Sequence, residues 1–215
     1  MDLIAGVIGW FTDPGNWAGS NGVPNRIAEH LLLSGVAMAM ALVVALPAGL
    51  VIGHTGRATR VAIAVAGLGR AIPSYALLIL SVGFLGLGIA SALPALVLLA
   101  IPPILVNSAT AIREVDQDIV EAGRAMGMSE FTVLRDVEIP PALPILIAGV
   151  RVATLQVIAT ATLAALVAGG GLGRYIVDGF ALQDDERLLA GALLVAILAL
   201  VTQSAFTALE RRRAK

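Results

Sequence analysis

The chain has 215 residues, 58% of them hydrophobic and only 13% charged, with a formal net charge of −1. A soluble domain is about half apolar and about a quarter charged, so this composition points to a membrane protein, and the charge balance gives no sign of a nucleic-acid or acidic partner. There is no cysteine, which excludes disulfides and thiolate metal sites, and the two histidines, His30 and His54, stand too far apart to suggest a metal centre.

The single lysine is Lys215, at the C-terminal end. A phosphate-binding P-loop needs a lysine within its Gly-rich loop to reach the terminal phosphates. No Walker-type ATPase site is therefore encoded here. If nucleotide hydrolysis drives this protein, another polypeptide supplies it.

Residues 1–27 form an N-terminal segment, and within it Met1 to Asn25 lack a basic start and a long apolar core, so they do not read as a cleaved signal peptide. Trp10, Phe11 and Trp17 suit an interfacial aromatic anchor, and a disordered leader fits the same segment. A helix of about 20 apolar residues crosses a bilayer core. On that criterion residues 28–209 hold five spans: about 31–53, 62–84, 91–112, 141–167 and 188–209. The uncharged run Ala71 to Ile112 is too long for one span, and its Gly83 to Gly88 stretch offers the turn.

Five spans put the termini on opposite sides. Lys and Arg concentrate on the cytoplasmic side. The basic tail 210–215 then marks a cytoplasmic C-terminus. The loops at 54–60 and 113–140 fall on the same side, and the N-terminus lies outside. Arg57, Arg60, Arg113, Arg124, Arg135, Arg211, Arg212, Arg213 and Lys215 stand on one side, against Arg26, Arg174 and Arg187 on the other. Arg70 and Arg151 fall near span ends, where snorkelling or a structural ion pair explains them better than a substrate contact.

The loop 113–140 is the most structured polar stretch. Asp118 and Glu121 have capping-box spacing, which predicts a short helix from Ile119. Gly127 suits the left-handed position that ends it. Ser129 suits the cap of a second helix, with Glu130 favourable in its first turn. Phe131, Leu134 and Val137 fall on one face of that helix. Pro140, Pro141 and Pro144 restrict the entry to span four. Two short helices ending at a stiff joint would form a lever between a soluble partner and the spans; a merely solvated loop fits the physical pattern as well.

The residue pattern resembles the EAA loop of ABC importer permeases: Glu-Ala-Ala, a Gly four positions later, and after nine residues Ile-x-Leu-Pro. It falls on Glu121, Ala122, Gly123, Gly127, Val137, Ile139 and Pro140, with Gly123, Val137 and Ile139 as conservative departures. The runs at 70–78, 107–129 and 160–173 resemble permeases for glycine betaine, choline or carnitine. This resemblance implies an all-α membrane protein with the type I ABC importer permease fold. It implies two ATPase subunits that dock on the loop and themselves bind ATP and Mg, a second permease chain, and an external substrate-binding protein. It implies no cofactor and no catalysis in this chain, and a bacterial cell membrane location. Methionine-importer permeases share the five-span plan and are the alternative.

Polar residues within the spans are candidates for a translocation path: Ser74 and Tyr75 in span two, Asn107 in span three, Gln156 and Thr160 in span four. Interhelical hydrogen bonding explains Ser and Thr in membranes as readily, so Gln156 carries most of the expectation. The glycines from Gly169 to Gly173 have no strand before them and no lysine after them, so they read as a flexible exit from span four. Asp184, Asp185 and Glu186 read as a solvated patch, with a binding-protein contact as a minor alternative. An ion-coupled secondary transporter would show internal repeats and intramembrane carboxylates. Neither is seen, and no nucleophile–base pair suggests a membrane enzyme.

Overall fold

A computed structural model describes residues 3–57, 60, 64, 67 and 72–213, and among these every regular element is helical. Four helices are long and apolar enough to cross a membrane: Val23–Thr55, Ile89–Arg113, Glu130–Val167 and Asp185–Arg211. The first half of expected span two, Arg70 included, and the end of the basic tail lie outside the described residues.

Helix α1 spans Leu3–Thr12. It is not a loose leader. Trp10 meets Phe11 and Tyr175 edge-on, each at 5.2 Å between ring centroids, and the Trp17 ring nitrogen donates to Phe11 O at 2.8 Å. Packing against Tyr175, rather than an interfacial belt alone, holds these aromatics.

Helix α2, Val23–Thr55, has 33 residues and outruns the expected span at both ends. Pro24 sits in its first turn, where a missing N–H costs nothing. The pair Arg26–Glu29, one turn apart at 2.7 Å, carries the helix through a polar stretch that hydropathy alone leaves out. Gly56, at φ +65°, ends it.

Helix α3, Ser74–Leu85, has only 12 residues and begins after a break at Ile72–Pro73. The expected unbroken span 62–84 is therefore corrected. Proline has no N–H to continue the ladder and pushes the residue before it out of the helical region. At 1.5 Å per residue, 12 residues reach about 18 Å, short of the roughly 30 Å hydrocarbon core. Gly86 and Gly88 then turn the chain, both at positive φ, into α4, Ile89–Arg113.

The fourth span is the main departure. The expected short second loop helix and span four form one continuous rod. A single α-turn at Glu130–Thr132 runs into a π-helical stretch at Val133–Glu138, then α6 at Ile139–Thr160, then a 3₁₀ stretch at Ala161–Val167. Pro140 and Pro141 stand at the start of α6 and can donate no ladder hydrogen bonds. The widened turn just before them lets the backbone continue, with Ile139 N–H reaching Leu134 O. Helix α7, Gly173–Leu182, and helix α8, Asp185–Arg213, close the chain.

The core lies where α2, α4 and α6 cross. Ala37, Ala41, Ala45, Gly49 and Gly53 recur every fourth residue on α2, and all are buried. A side chain at Gly49 would stand 2.6 Å from the Ser108 Cβ, and one at Gly53 would stand 2.7 Å from the Ile112 Cβ. Small residues at this spacing let two helix backbones approach closely, the main source of helix association in lipid. Arg151 and Glu210 pair at 2.9 Å between α6 and α8, which bears out the ion-pair reading of Arg151.

Candidate functional site

At the end of the bundle where α2 and α4 finish, residues 113–140 fold into a compact bracket. Its first arm is α5, Gln117–Ala125. The helix starts earlier than the spacing predicts, because Asp116 and not Asp118 is the cap: its carboxylate accepts from Asp118 N–H at 3.0 Å. Val115, 8% exposed, is drawn into the core just before it, which sets Asp116 at the boundary.

The arm ends as predicted. Gly127 has φ +82°, Met128 N–H bonds Gly123 O at 3.2 Å and Gly127 N–H bonds Arg124 O at 2.9 Å. This is the double closure of a glycine-terminated helix. The second arm starts at Ser129, whose hydroxyl accepts from Thr132 N–H at 3.2 Å. Arg124 joins the arms by gripping both Glu130 carboxylate oxygens, at 3.1 and 3.3 Å from Nε and 3.1 Å from a terminal nitrogen. That hydrogen bonding holds Arg124 above the ordinary arginine range.

Inside the bracket, Val120 and Val133 pack with Ala111, Ile112, Val115, Ala142 and Leu146. Gly123 is buried against them. Val137 and Leu134 pack at the edge of this cluster, whereas Phe131 is 71% exposed. The predicted shared face is thus split: Val133, two residues on from Phe131 and so on the opposite side of the helix, faces inward with Leu134 and Val137. The outer face carries Glu121, Ala122 and Gly127 with the exposed apolar side chains of Ile119, Met126 and Phe131. Ile139 is half-buried and Pro140 exposed at the start of α6.

Two residues that composition did not single out complete the bracket. His54, in the last turn of α2, places Nδ1 2.6 Å from the Glu138 carboxylate and Nε2 3.0 Å from that of Glu130. Glu138 is only 3% exposed. A carboxylate inside an apolar rod was the available signal, since such a group needs a partner.

The path candidates do not converge. Ser74 is half-buried and Tyr75 exposed on α3. The Asn107 amide donates to Pro103 O of its own helix at 2.7 Å. Its Cβ stands where a side chain on Gly149 would go, so Asn107 marks the crossing of α4 and α6. Gln156 is half-buried two turns further along α6, about 10 Å on. Thr160 Oγ1 donates to Gln156 O within the helix at 2.7 Å.

At the opposite end the glycine run is packed, not loose. Glu29 accepts from Gly171 N–H at 2.8 Å, and a side chain on Gly173 would collide with Thr162 O. Gly170 and Gly171 both have left-handed φ. His30, fully buried, meets Ile158 O at 2.9 Å, close to where α6 tightens into its 3₁₀ end. Asp184 caps α8 by accepting from Arg187 N–H at 3.0 Å, so one member of the acidic patch has a structural task.

Residues 27–215 match the family described as binding-protein-dependent transport system inner membrane component. The carnitine transport permease protein OpuCB of Listeria monocytogenes is 38% identical over 184 residues, covering 86% of this chain and 84% of that one. The glycine betaine/carnitine/choline transport system permease protein OpuCB of Bacillus subtilis (strain 168) is 35% identical, covering 87% and 86%. Among solved structures, an inward-facing MetNI methionine ABC transporter chain superposes with a TM-score of 0.78 at 24% identity, over 90% of this chain and 96% of that one. That likeness supports the type I importer permease fold. The family match and relatives covered over more than four-fifths of their length together place this chain among the binding-protein-dependent transport system inner membrane components, as a membrane-embedded permease subunit and not an enzyme.

Proposed function

We propose that this permease forms the membrane path for a small osmoprotectant, carnitine, choline or glycine betaine, imported at the expense of ATP. The observation that carries the substrate class is the similarity, over more than four-fifths of both chains, to permeases named for these solutes. In this reading a substrate-binding protein delivers the solute from outside, and two ATPase subunits bind ATP and Mg²⁺. A second permease chain completes the path. The N-terminus faces outside and the C-terminus the cytoplasm, with residues 28–209 as the transmembrane domain.

The bracket at 113–140 is then the ATPase-docking module. Its outer face presents Glu121, Ala122 and Gly127 beside exposed Ile119, Met126 and Phe131, an apolar centre with charged surroundings suited to a protein partner. Its second arm continues into the rod Glu130–Val167. The docking face is thereby joined to the membrane-spanning part, where Gln156, Thr160, Asn107, Ser74 and Tyr75 are the candidates for the solute path.

Reconstitution with the ATPase and binding protein tests the reading. Labelled choline uptake should require ATP and be competed by carnitine or glycine betaine but not by methionine; competition by methionine alone would reassign the substrate. Gly127→Asp should leave the protein inserted yet abolish uptake. The site is open, with nothing within 4 Å of an added Cβ, and Asp tolerates the left-handed region, so the change alters the docking face and not the core. Normal uptake by Gly127→Asp would refute the docking role.

A further inference from the structure

His54 lies outside the loop pattern, yet it is the point where α2 touches both ends of the second arm. Its ring nitrogens stand 2.6 Å from Glu138 Oε2 and 3.0 Å from Glu130 Oε2. These two carboxylates bracket the π-helical stretch Val133–Glu138, where the rod departs from α-helical geometry. A push on the docking face would be absorbed there unless something spans the stretch. We propose that His54 is a positioning residue for energy coupling: it clamps the end of α2 across the π-helical stretch, so that α2 and the rod move together. The inference rests on the docking role proposed for residues 121–140.

The clamp has a definite proton count. A contact of 2.6–3.0 Å between a ring nitrogen and a carboxylate oxygen needs a hydrogen between them. Two such contacts need two protons shared by three groups. Either an imidazolium donates to two carboxylates, or a neutral ring donates to one carboxylate and accepts from one carboxylic acid. Removing one proton sets two lone pairs facing each other, and one contact opens. If that contact is to Glu138, a carboxylate only 3% exposed is left without its partner.

Protons can reach the clamp. A polar cavity of about 270 Å³, lined by Gly53, His54, Ile112, Arg113, Gln117, Arg124 and Glu138, adjoins it. Among the described residues, the other charged groups lining this cavity are Arg113 from α4 and Arg124 from α5, the latter bound to Glu130. Both are permanent cations and balance the carboxylates of the cluster.

The test uses the full reconstituted complex and reads solute taken up per ATP hydrolysed. Choline, carnitine or glycine betaine serves as the label, whichever the wild type carries. His54→Leu should sit at least about five-fold below wild type. Glu138→Leu should fall with it, and Glu138→Gln should restore the ratio, because its amide N–H can donate to Nδ1 and keep the contact. A wild-type ratio in His54→Leu, or a ratio in Glu138→Gln as low as in Glu138→Leu, would overturn the clamp. Should His54→Leu fail to assemble, the rescue of Glu138→Leu by Glu138→Gln decides alone. Gly127→Asp is measured alongside: normal coupling there refutes the docking role, whereas uncoupling there with normal coupling in His54→Leu refutes the clamp only.

Discussion

At the scale of single residues, the two glycines of the first arm do different work. Gly127 is needed for its φ of +82°; an alanine there costs about 1–2 kcal/mol, the ordinary penalty for a left-handed residue with a Cβ. Gly123 is needed far less. An added Cβ would stand 3.3 Å from the Met128 sulfur, 3.5 Å from Val137 and 3.8 Å from Val133. The thioether can yield a few tenths of an ångström, and alanine gains about 0.8–1 kcal/mol of helix propensity over glycine. Thermal unfolding in detergent should therefore show Gly123→Ala at or above wild type and Gly127→Ala clearly below it. An equal fall in both would mean that Met128 is pinned. The role of Gly127 was legible because turn chemistry is local. The burial of Gly123 was not, since it depends on the second arm folding back. The cap shows the same limit: spacing points to Asp118, and the burial of Val115 sets the boundary at Asp116 instead.

At the scale of elements, the long apolar stretches were legible and their junctions were not. Hydropathy marks where a helix can sit in lipid, and α4 and α8 begin and end within about four residues of expectation. The break at Ile72–Pro73 follows from a proline whose meaning in a long apolar run is ambiguous, because neighbouring helices can rescue such a residue. The close crossing of α2 and α4 was written in the four-residue repeat from Ala37 to Gly53, a signal that counting apolar residues passes over. Gly53 is one of its tight points: an added Cβ meets the Ile112 Cβ at 2.7 Å and Ala109 O at 2.8 Å, the latter being backbone that cannot swing aside. Gly53→Leu should destabilise by about 1–3 kcal/mol or more through overpacking, whereas Gly35→Leu, with open space around its Cβ, should be nearly silent. The comparison is made by unfolding midpoint in one detergent; equal effects would show that the crossing is loose.

At the scale of the whole molecule, α2 and the rod are tied by polar contacts at both ends. At one end His54 meets Glu138, 84 positions away; at the other His30 meets Ile158 O across 128 positions and Glu29 meets Gly171 N–H across 142. Separations of this size leave no trace in local spacing, which is why the glycine run read as a flexible exit and the histidines as bystanders. The ties at the two ends share no partner. A hydrogen bond to a charged group contributes about 1.5–3 kcal/mol, so losing the one from Glu29 should raise local opening of residues 168–173 by about ten-fold or more. Glu29→Ala should show this as faster amide exchange in that loop. Glu29→Gln should show less, because its carbonyl still accepts from Gly171 while the ion pair with Arg26 is gone. Exchange at Val133–Glu138 should stay unchanged in both variants, because the clamp at His54 is intact. Faster exchange at both ends would instead mean that α2 parts from the rod as one unit. The permease would then have a single hinge along its whole length rather than two ends that open independently.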